Sequence, residues 1–377
     1  MIKIKKEILL LRPKNFKPSD RRFGVLGVFN PGATRLPNGN ILLYVRVWEK
    51  LKIDQDEKFY YSPRCVGKKE YKIILDEFDK KKTEFKTKLD FSFKDGTKRL
   101  TAISHLRRVI LDKTGFNVKK IENKPSFFGL INDGELGIED PRITKIDNKY
   151  YMTYVSLSRI GNVSTSYAVS KDCLNWKRKG IIFREQNKDA VFFSEKINGK
   201  YYAFNRPEGG FEFTPPHIWI SESKDLDYWG KPKPIMLSKK RSWDSGRVGA
   251  GPPPIKTDKG WLLIYHGVTE RKKYDNFLAR LFGFMKEYSV YSIGAALFDL
   301  RNPRKLIAKT KNPIIVPHKI YETMKIENKK VVFPTGIVVD LNGKDLLIYS
   351  GGADKFISVK KIALKDIMDS LEKVKLQ

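Results

Sequence analysis

Polar and charged side chains occur in short clusters beside glycine and proline at several places along the chain. An Asn-Pro-Gly-Ala run begins at Asn30, a Glu-Asp-Pro-Arg run spans Glu139–Arg142, and Arg206, His266 and Asp354 each follow an apolar stretch. Carboxylates can transfer protons to a reacting group, and arginine and histidine can bind anions such as phosphate. Each cluster alone also fits a surface ion pair or a buried histidine. Their recurrence after similar apolar segments favours one shared site.

One hairpin pattern recurs five times and predicts the fold that would position these clusters. In each copy an apolar strand, a tight turn of Asn, Asp or Gly and a second, aromatic-rich strand follow one another. The five copies span residues 33–47, 144–155, 195–205, 255–266 and 338–350. Asn-Gly and Asp-Asn steps favour such turns because these residues tolerate the positive φ that a two-residue hairpin requires.

Five similar hairpins, most of them followed by two further strands, predict an all-β fold, namely a five-bladed β-propeller. The strand at Phe356–Val359 is expected to close the ring against N-terminal sequence. A β-sandwich is the alternative, but it does not predict five similar hairpins at spacings near a blade length. We therefore expect one catalytic propeller domain over residues 1–377.

Three segments fall outside the repeat. Residues 52–100 are charged and irregular, and we expect them to be an insertion that decorates the first blade. Residues 269–290 form a second insertion with an apolar patch between basic flanks, for which a lid, an oligomer contact, a membrane-surface helix and a packed loop all remain open. Apolar residues at helical spacing predict a short C-terminal helix over residues 363–377 on the propeller rim.

The 377 residues carry a formal net charge of +31, from 74 Lys and Arg against 43 Asp and Glu. A basic surface can bind nucleic acid or another polyanion. Here the charges lie in short clusters between apolar strands, and no nucleic-acid motif accompanies them. We therefore favour a scattered basic surface and expect no nucleic-acid partner. Such a surface would still help to attract a small anionic co-substrate.

The two cysteines, Cys65 and Cys173, are far apart and in no metal or redox spacing. A disulfide framework is therefore not expected, and a reducing compartment is favoured. The apolar part of the N-terminus is short for a signal peptide, and no stretch reaches the roughly 18 apolar residues of a membrane helix. We expect a cytoplasmic protein without an integral membrane segment, and no metal, because no convincing ligand cluster is present.

A series of motifs, in the same order from about residue 25 to residue 360, carries a family resemblance. They are Asn30–Ala33, Ile138–Arg142, Lys188–Ala190 with Glu195–Tyr201, Arg206–Pro207, Trp243–Ser245 with Gly249–Pro254, Gly260–Gly267, and Phe333–Gly336 with Gly352–Asp354. The Gly-Ala-Gly-Pro-Pro-Pro and Tyr-His-Gly elements are the specific ones. On these motifs the sequence resembles glycoside hydrolase family 130, mainly β-mannoside phosphorylases, and within it the enzymes acting on β-1,2-mannooligosaccharides, with the β-1,4 group next.

The resemblance implies an inverting phosphorolysis with one catalytic carboxylate. Asp140 matches the general acid, which would deliver its proton through the mannosyl 3-hydroxyl to the departing oxygen. Inorganic phosphate would then attack the anomeric carbon from the opposite face and give α-mannose 1-phosphate and a shortened acceptor, reversibly. A second carboxylate, which ordinary glycosidases need, is dispensable because phosphate is already a nucleophile.

The resemblance also implies the binding residues. The phosphate dianion requires cations, since arginine binds it in bidentate geometry and lysine acts as a point charge. The matched phosphate-binding positions are Lys188, Arg206, Arg247 and His266. The positions matched to sugar hydroxyls are Asn30, Arg46 and Asp354. The expected partners are a β-mannoside oligosaccharide, phosphate as co-substrate and mannose 1-phosphate; no other cofactor is implied, and homo-oligomerisation stays open.

Two alternatives remain at the level of the sequence. A β-mannoside hydrolase on the same fold would need a carboxylate to activate water, whereas the matched positions here are cationic. A non-catalytic glycan-binding or polyanion-binding propeller is supported only by the net charge, and it predicts binding that weakens steeply with salt.

Overall fold

The computed structural model describes residues 2–52, 57–87, 89–209, 213–274, 285–324 and 329–374, and its strands form a five-bladed β-propeller. The strands of the blades, in sheet order, are Phe23–Arg35, Ile41–Leu51, Ala102–Leu111 and Val118–Ile121 in blade 1; Gly137–Ile146, Lys149–Ser158, Asn162–Ser170 and Lys177–Phe183 in blade 2; Asn187–Phe192, Tyr201–Pro207, Ile218–Ser223 and Gly230–Met236 in blade 3; Arg247–Ala250 with Ile255–Thr257, Gly260–Tyr274, Met285–Phe298 and Leu306–Lys309 in blade 4; and Lys329–Val339, Asp345–Gly352, Phe356–Ala363 and Ile4–Leu11 in blade 5.

The hydrophobic core lies between the blades rather than in one central mass. Five buried clusters occupy the five junctions of neighbouring blades. Successive residues of one strand serve two junctions: Leu43 and Val45 pack against blade 5, whereas Leu42 and Tyr44 pack against blade 2. Side chains alternate across a strand, so a strand apolar on both faces must be covered on both sides. Radial stacking of blades satisfies this requirement.

The five predicted hairpins are confirmed as the junctions between the first and second strands of the five blades. Their turns contain residues with positive φ, as the sequence predicted: Gly39 at 85°, Asp147 at 51°, Asn198 at 51° and Gly343 at 66°. Only residues that tolerate this conformation permit the tight connection. The local signal was therefore sufficient to locate every blade.

The first strands of the blades contact one another around the axis. Side-chain to backbone hydrogen bonds cross the blade boundaries here. Thr335 Oγ1, on the first strand of blade 5, donates to the carbonyl of Pro31 at 3.0 Å, and Thr153 Oγ1, on the second strand of blade 2, donates to that of Ala190 at 2.6 Å. Both hydroxyls are buried. These bonds fix the relative positions of the strands that carry the polar clusters.

The ring closes as predicted, because the N-terminal strand Ile4–Leu11 completes blade 5 by pairing antiparallel with Phe356–Ala363. A buried ion cluster reinforces the closure. Lys360 Nζ lies 3.0 Å from Glu7 Oε1 on the closing strand and 2.5 Å from Glu322 Oε1. Glu322 belongs to the short helix Ile320–Thr323, and its side chain and that of Lys360 are fully buried.

The first insertion is more regular than the sequence indicated. It connects the second and third strands of blade 1, and it forms two small sheets rather than irregular structure. Their strands are Phe59–Cys65 with Ile73–Asp79, and Thr83–Lys86, Asp90–Phe93 and Lys98–Leu100. Aromatic packing of Phe78, Phe91 and Phe93 stabilises the three-stranded sheet, which charge content alone did not reveal.

The other two segments contain strands that the sequence did not predict. Much of residues 269–290 extends the blade 4 hairpin, where Gly260–Tyr274 pairs with Met285–Phe298; residues 275–284, which hold most of the apolar patch, lie outside the described residues. The C-terminal helix is limited to Leu364–Asp369, and Glu372–Lys373 instead pairs as a strand with Ala308–Lys309. The outer strand of blade 4 offers backbone hydrogen bonds to this segment. The helical spacing of its apolar residues gave no sign of that pairing.

Breaking the closure cluster should destabilise the propeller. Lys360→Met leaves the buried carboxylate of Glu322 without its cation, so we expect the free energy of unfolding to fall by about 3–5 kcal/mol. The adjacent Lys361 supplies a matched control, because its ion pair with Asp340 is partly exposed, and its replacement by Met should cost about 1 kcal/mol or less. Urea denaturation compares the two variants. Equal losses would show that the buried cluster does not secure the closure.

Candidate active site at the propeller axis

A cavity of about 280 Å³ opens where the first strands of the blades meet. Its wall combines charged groups with aromatic rings such as Phe29, Trp48 and Phe333. All eight site residues predicted from the sequence line it: Asn30, Arg46, Asp140, Lys188, Arg206, Arg247, His266 and Asp354. The structure therefore brings together side chains from all five blades, and their individual roles remain predictions.

A backbone feature that recurs in three blades directs polar side chains towards the axis. Asn30, Asp140 and Asp189 lie at irregularities in the first strands of blades 1, 2 and 3, and all have left-handed backbones, with φ of 48°, 49° and 56°. Asn and Asp adopt this conformation more readily than other non-glycine residues. Each bulge interrupts the ladder and re-aims the local side chain. Three successive blades thus offer a polar side chain at equivalent points near the axis.

The carboxylate of Asp140 is held by two donors. Asn30 Nδ2 donates to Asp140 Oδ1 at 2.9 Å, and Arg46 Nη1 donates to the same oxygen at 3.1 Å. Arg46 also binds Glu139 Oε1 through Nη2 at 2.5 Å and Ser104 Oγ through Nε at 3.1 Å. In the ligand-free site Arg46 is thus engaged with two carboxylates. Its predicted contact with a sugar hydroxyl would have to share these bonds.

The charge on Arg46 is secure despite its burial. Burial alone would lower the pKa of the guanidinium, but the carboxylates of Glu139 and Asp140 outweigh it and raise the pKa of Arg46. The guanidinium also lies 4.5 Å from the centre of the Phe29 ring. A permanent cation shared by two carboxylates therefore stands beside the predicted acid.

Cationic groups cluster in the neighbouring part of the cavity. Lys188 and Arg206 are paired residues of adjacent strands in blade 3, and Arg247 begins blade 4. Arg206 Nη1 contacts Glu208 Oε1, and Arg247 Nη1 lies 3.6 Å from the same oxygen. The residues predicted to bind phosphate thus lie close together, and among them is the carboxylate of Glu208, which the sequence analysis did not single out.

A second overlooked carboxylate, Asp189, lies behind the cations. Its Oδ2 accepts a hydrogen bond from Arg206 Nε at 2.6 Å, and its Oδ1 accepts one from Arg142 Nη2 at 2.8 Å. The side chains of Asp189 and Arg142 are only 2% exposed. Burial would raise the pKa of Asp189, but the guanidinium groups of Arg206 and Arg142 hold it well below its usual range. Asp189 is therefore an ionised carboxylate in the protein interior.

All three nitrogens of the Arg142 guanidinium donate hydrogen bonds to protein groups. Besides binding Asp189, it donates from Nε to the carbonyl of Gly251 at 3.0 Å and from Nη1 to the carbonyl of Asp140 at 3.2 Å. The sequence left a surface ion pair open for the Glu139–Arg142 run, and for Arg142 that interpretation is wrong. Its contacts with Asp189 and Gly251 cross into blades 3 and 4, and only the matched motifs pointed to these residues.

His266 is a neutral imidazole rather than a cation. Burial is the main reason that its pKa falls to about 3; Asp189 opposes this shift, and the surrounding arginines add to it. Its Nε2 lies 3.7 Å from Asp189 Oδ2, which is too long for a hydrogen bond. Neither ring nitrogen has a hydrogen-bond partner among the residues that the structure describes. Buried polar atoms are normally satisfied, so a ligand in the cavity is the natural partner.

Asn30 presents a second such atom. Its Oδ1 is buried and lacks a hydrogen-bond partner within the described ranges, although its Nδ2 is bound to Asp140. An amide oxygen accepts hydrogen bonds, as from a hydroxyl, whereas a neutral imidazole can donate one. The cavity therefore offers complementary groups to a ligand with hydroxyls and an anion.

The described residues contain one group of potential metal ligands, Glu7, His318 and Glu322. It belongs to the closure cluster, outside the axial cavity, and the ammonium of Lys360 already lies between the two glutamates. A cation in that position neutralises the carboxylates that a metal would require. The part of the chain that the structure describes contains no helix long and apolar enough to cross a membrane.

Comparison with known proteins agrees with this site. A family model described as β-1,4-mannooligosaccharide phosphorylase, of glycoside hydrolase family 130, matches residues 105–373. A β-1,2-mannobiose phosphorylase of Listeria innocua is 33% identical over 371 residues, which are 96% of each chain. A 1,2-β-oligomannan phosphorylase of Thermoanaerobacter sp. strain X514 is 38% identical over 260 residues, 68% of this chain and 78% of that protein.

Solved structures give the same picture. The Listeria innocua β-1,2-mannobiose phosphorylase, in complex with β-1,2-mannobiose, superposes with a TM-score of 0.80 at 32% identity, with 96% of each chain covered. Fold and site thus define a propeller enzyme of carbohydrate chemistry. More particularly, the chain belongs to glycoside hydrolase family 130, a family of β-mannoside phosphorylases.

The protonation state of His266 can be tested directly. Because its pKa is about 3, the imidazole should stay neutral from about pH 5 to pH 8, where an ordinary histidine titrates. The Cε1 proton resonance, assigned by comparison with His266→Gln, should not move across this range in the ligand-free protein. The chain has four histidines, so assignment is practical. A titration midpoint between about pH 6 and pH 7 would contradict the neutral state.

The predicted acid can be tested against its neighbour. Asp140→Asn keeps the side-chain shape and removes the proton, so we expect the rate of mannoside cleavage to fall by about 10²–10⁴-fold while the fold is retained. Glu139→Gln is the matched control, because Glu139 binds the same arginine, and it should lose less. Steady-state kinetics measure both variants. A near-normal rate for Asp140→Asn would show that the proton comes from another group.

Proposed function

We propose that the protein catalyses the reversible, inverting phosphorolysis of β-1,2-linked mannooligosaccharides, giving α-mannose 1-phosphate and an acceptor shortened by one mannose. The observation that carries the proposal is the juxtaposition in one cavity of the matched acid, Asp140, with the cations Lys188, Arg206 and Arg247. A phosphorylase requires an acid for the leaving group and a binding site for a dianion.

The proposed reaction assigns a task to each part of the cavity. Asp140 supplies the proton to the departing glycosidic oxygen, by way of the mannosyl 3-hydroxyl, while Asn30 and Arg46 fix its carboxyl group. Phosphate, bound by the cationic cluster, attacks the anomeric carbon from the opposite face. The carbon–oxygen bond to the leaving sugar breaks as the bond to phosphate forms, and the configuration inverts. Neutral His266 contributes an N–H to a phosphate oxygen.

The β-1,2 linkage is the finer part of the proposal. It is supported by the relatives of Listeria innocua and Thermoanaerobacter sp., whose names specify β-1,2-linked substrates at 33% and 38% identity. A β-1,4-mannooligosaccharide phosphorylase of Ruminococcus albus is 32% identical over a shorter stretch of 230 residues. The greater coverage of the Listeria innocua enzyme favours the β-1,2 linkage.

Hydrolysis is the second candidate, and Glu208 is the observation that favours it. Its carboxylate lies among the cations, in contact with Arg206, and a carboxylate near the anion site is what water activation would require. A protein described as one of the hydrolases of this family shares the fold, with a TM-score of 0.64 at 22% identity.

One assay separates these activities and linkages. We expect β-1,2-mannobiose to be converted to mannose and α-mannose 1-phosphate only when phosphate is present, and β-1,4-mannobiose to be converted at least about tenfold less efficiently, the equivalent of about 1.4 kcal/mol in transition-state binding. Products are identified by chromatography and phosphorus NMR. Phosphate-free release of mannose at the same rate would favour the hydrolase, and preference for β-1,4-mannobiose would overturn the linkage.

A further inference from the structure

Asp189 is a buried carboxylate for which the proposed reaction has no task. It neither gives up a proton nor belongs to the cations, yet it lines the cavity directly beneath them. It binds Arg206 Nε through one oxygen and Arg142 Nη2 through the other. Both bonds are charge-assisted and buried, a combination that fixes geometry strongly.

The contact with Arg206 determines which of its atoms remain for a ligand. A guanidinium is planar, and its five N–H donors have fixed directions. When Nε donates to Asp189, that edge of the guanidinium is held against the carboxylate, and Nη1, on the opposite edge, points away from it. Arg206 Nη1 meets Glu208 there, at the place where the cationic cluster faces the cavity. Asp189 thus sets the direction in which Arg206 presents its charge.

The surroundings of Asp189 are built to hold this arrangement. Arg142, which holds the other oxygen, is itself anchored to the carbonyl of Gly251. A Cβ at Gly249 would lie 2.4 Å from Asp189 Oδ2 and 2.3 Å from His266 Cε1. Blade 4 therefore requires a glycine at this position to leave room for the carboxylate and the imidazole. Residues of three blades thus surround the carboxylate of Asp189.

We propose that Asp189 is a positioning residue for the anion site: it orients Arg206 so that the cluster binds inorganic phosphate. The inference rests on the proposed function for the identity of the ligand. The direction in which phosphate binding changes when Asp189 is removed distinguishes positioning from simple electrostatics. Asp189 adds a negative charge beside the cations, so on charge alone its removal should strengthen phosphate binding. Positioning predicts the opposite.

The test is Asp189→Asn in the full-length protein, which keeps the shape and removes the charge. We expect the KM for inorganic phosphate to rise by roughly 10- to 100-fold, as for loss of one strong charge-assisted contact. The KM for β-1,2-mannobiose at saturating phosphate should change less than about twofold, because Asp189 bonds to Arg142 and Arg206, whereas the matched sugar contacts Asn30 and Arg46 bond to Asp140. Calorimetric titration with inorganic phosphate measures binding without turnover.

Glu49→Gln is the matched control. Glu49 is also fully buried and paired with an arginine, Arg107, but it does not line the cavity. It should lose stability without a selective change in the phosphate KM. If both variants raised both KM values equally, the effect of Asp189 would be structural and the proposal would be overturned.

Gly249→Ala keeps the inference testable if Asp189→Asn does not fold. It retains every charge and crowds the Asp189 carboxylate and His266, so the phosphate KM should rise while the mannobiose KM stays nearly constant. An unchanged or lower phosphate KM in a folded variant overturns the positioning role. If the wild-type protein neither binds nor consumes phosphate, the proposed function fails and this inference with it. If turnover by the wild-type protein depends on phosphate but the variants are unimpaired, this inference alone is overturned and the proposed function stands.

Discussion

The buried contact between Arg142 and Asp189 is the constraint on which the axial site depends. A guanidinium and a carboxylate that are 2% exposed are tolerated in a protein interior only when each is paired and hydrogen-bonded. Arg142 meets this condition by reaching the carbonyls of Asp140 and Gly251 as well. The pair therefore couples blades 2, 3 and 4. Any displacement of one blade would leave a charge unsatisfied, so the acid and the cations are held at a constant separation.

The bulges in the first strands explain how a regular fold carries an irregular site. A propeller blade needs continuous strands for its junctions, and in blades 1, 2 and 3 the pairing is interrupted where Asn30, Asp140 and Asp189 adopt left-handed backbones. Because the same bulge recurs in three blades, the repeated scaffold brings the three side chains together near the axis. The chemistry then differs from blade to blade through the residue type alone.

The sequence predicted those features that depend on local turn residues or on the matched motifs. Turn residues such as Gly39 and Asn198 fix a conformation within a few positions, so the five hairpins were recoverable, and the eight matched site residues do line one cavity. Asp189 and Glu208 gained no role from the sequence, because local signals do not show which side chains of paired strands meet, and the contact of Asp189 with Arg142 joins two blades. The C-terminal helix was overextended for a related reason: a distant strand edge competed for Glu372–Lys373.

Closure of the ring by the N-terminal strand has a consequence for biosynthesis. Lys5 and Asp345, which form an ion pair on the finished blade 5, are 340 residues apart in the chain. At ordinary ribosomal rates the first strand must wait on the order of 20–70 s for its partner to be made. During that interval its backbone donors are unpaired, and such strand edges invite association with other chains. Lys5 and Lys6 near the start of this strand, and Lys3 just before it, are the kind of charge that discourages such pairing, so the nascent segment carries its own protection against aggregation.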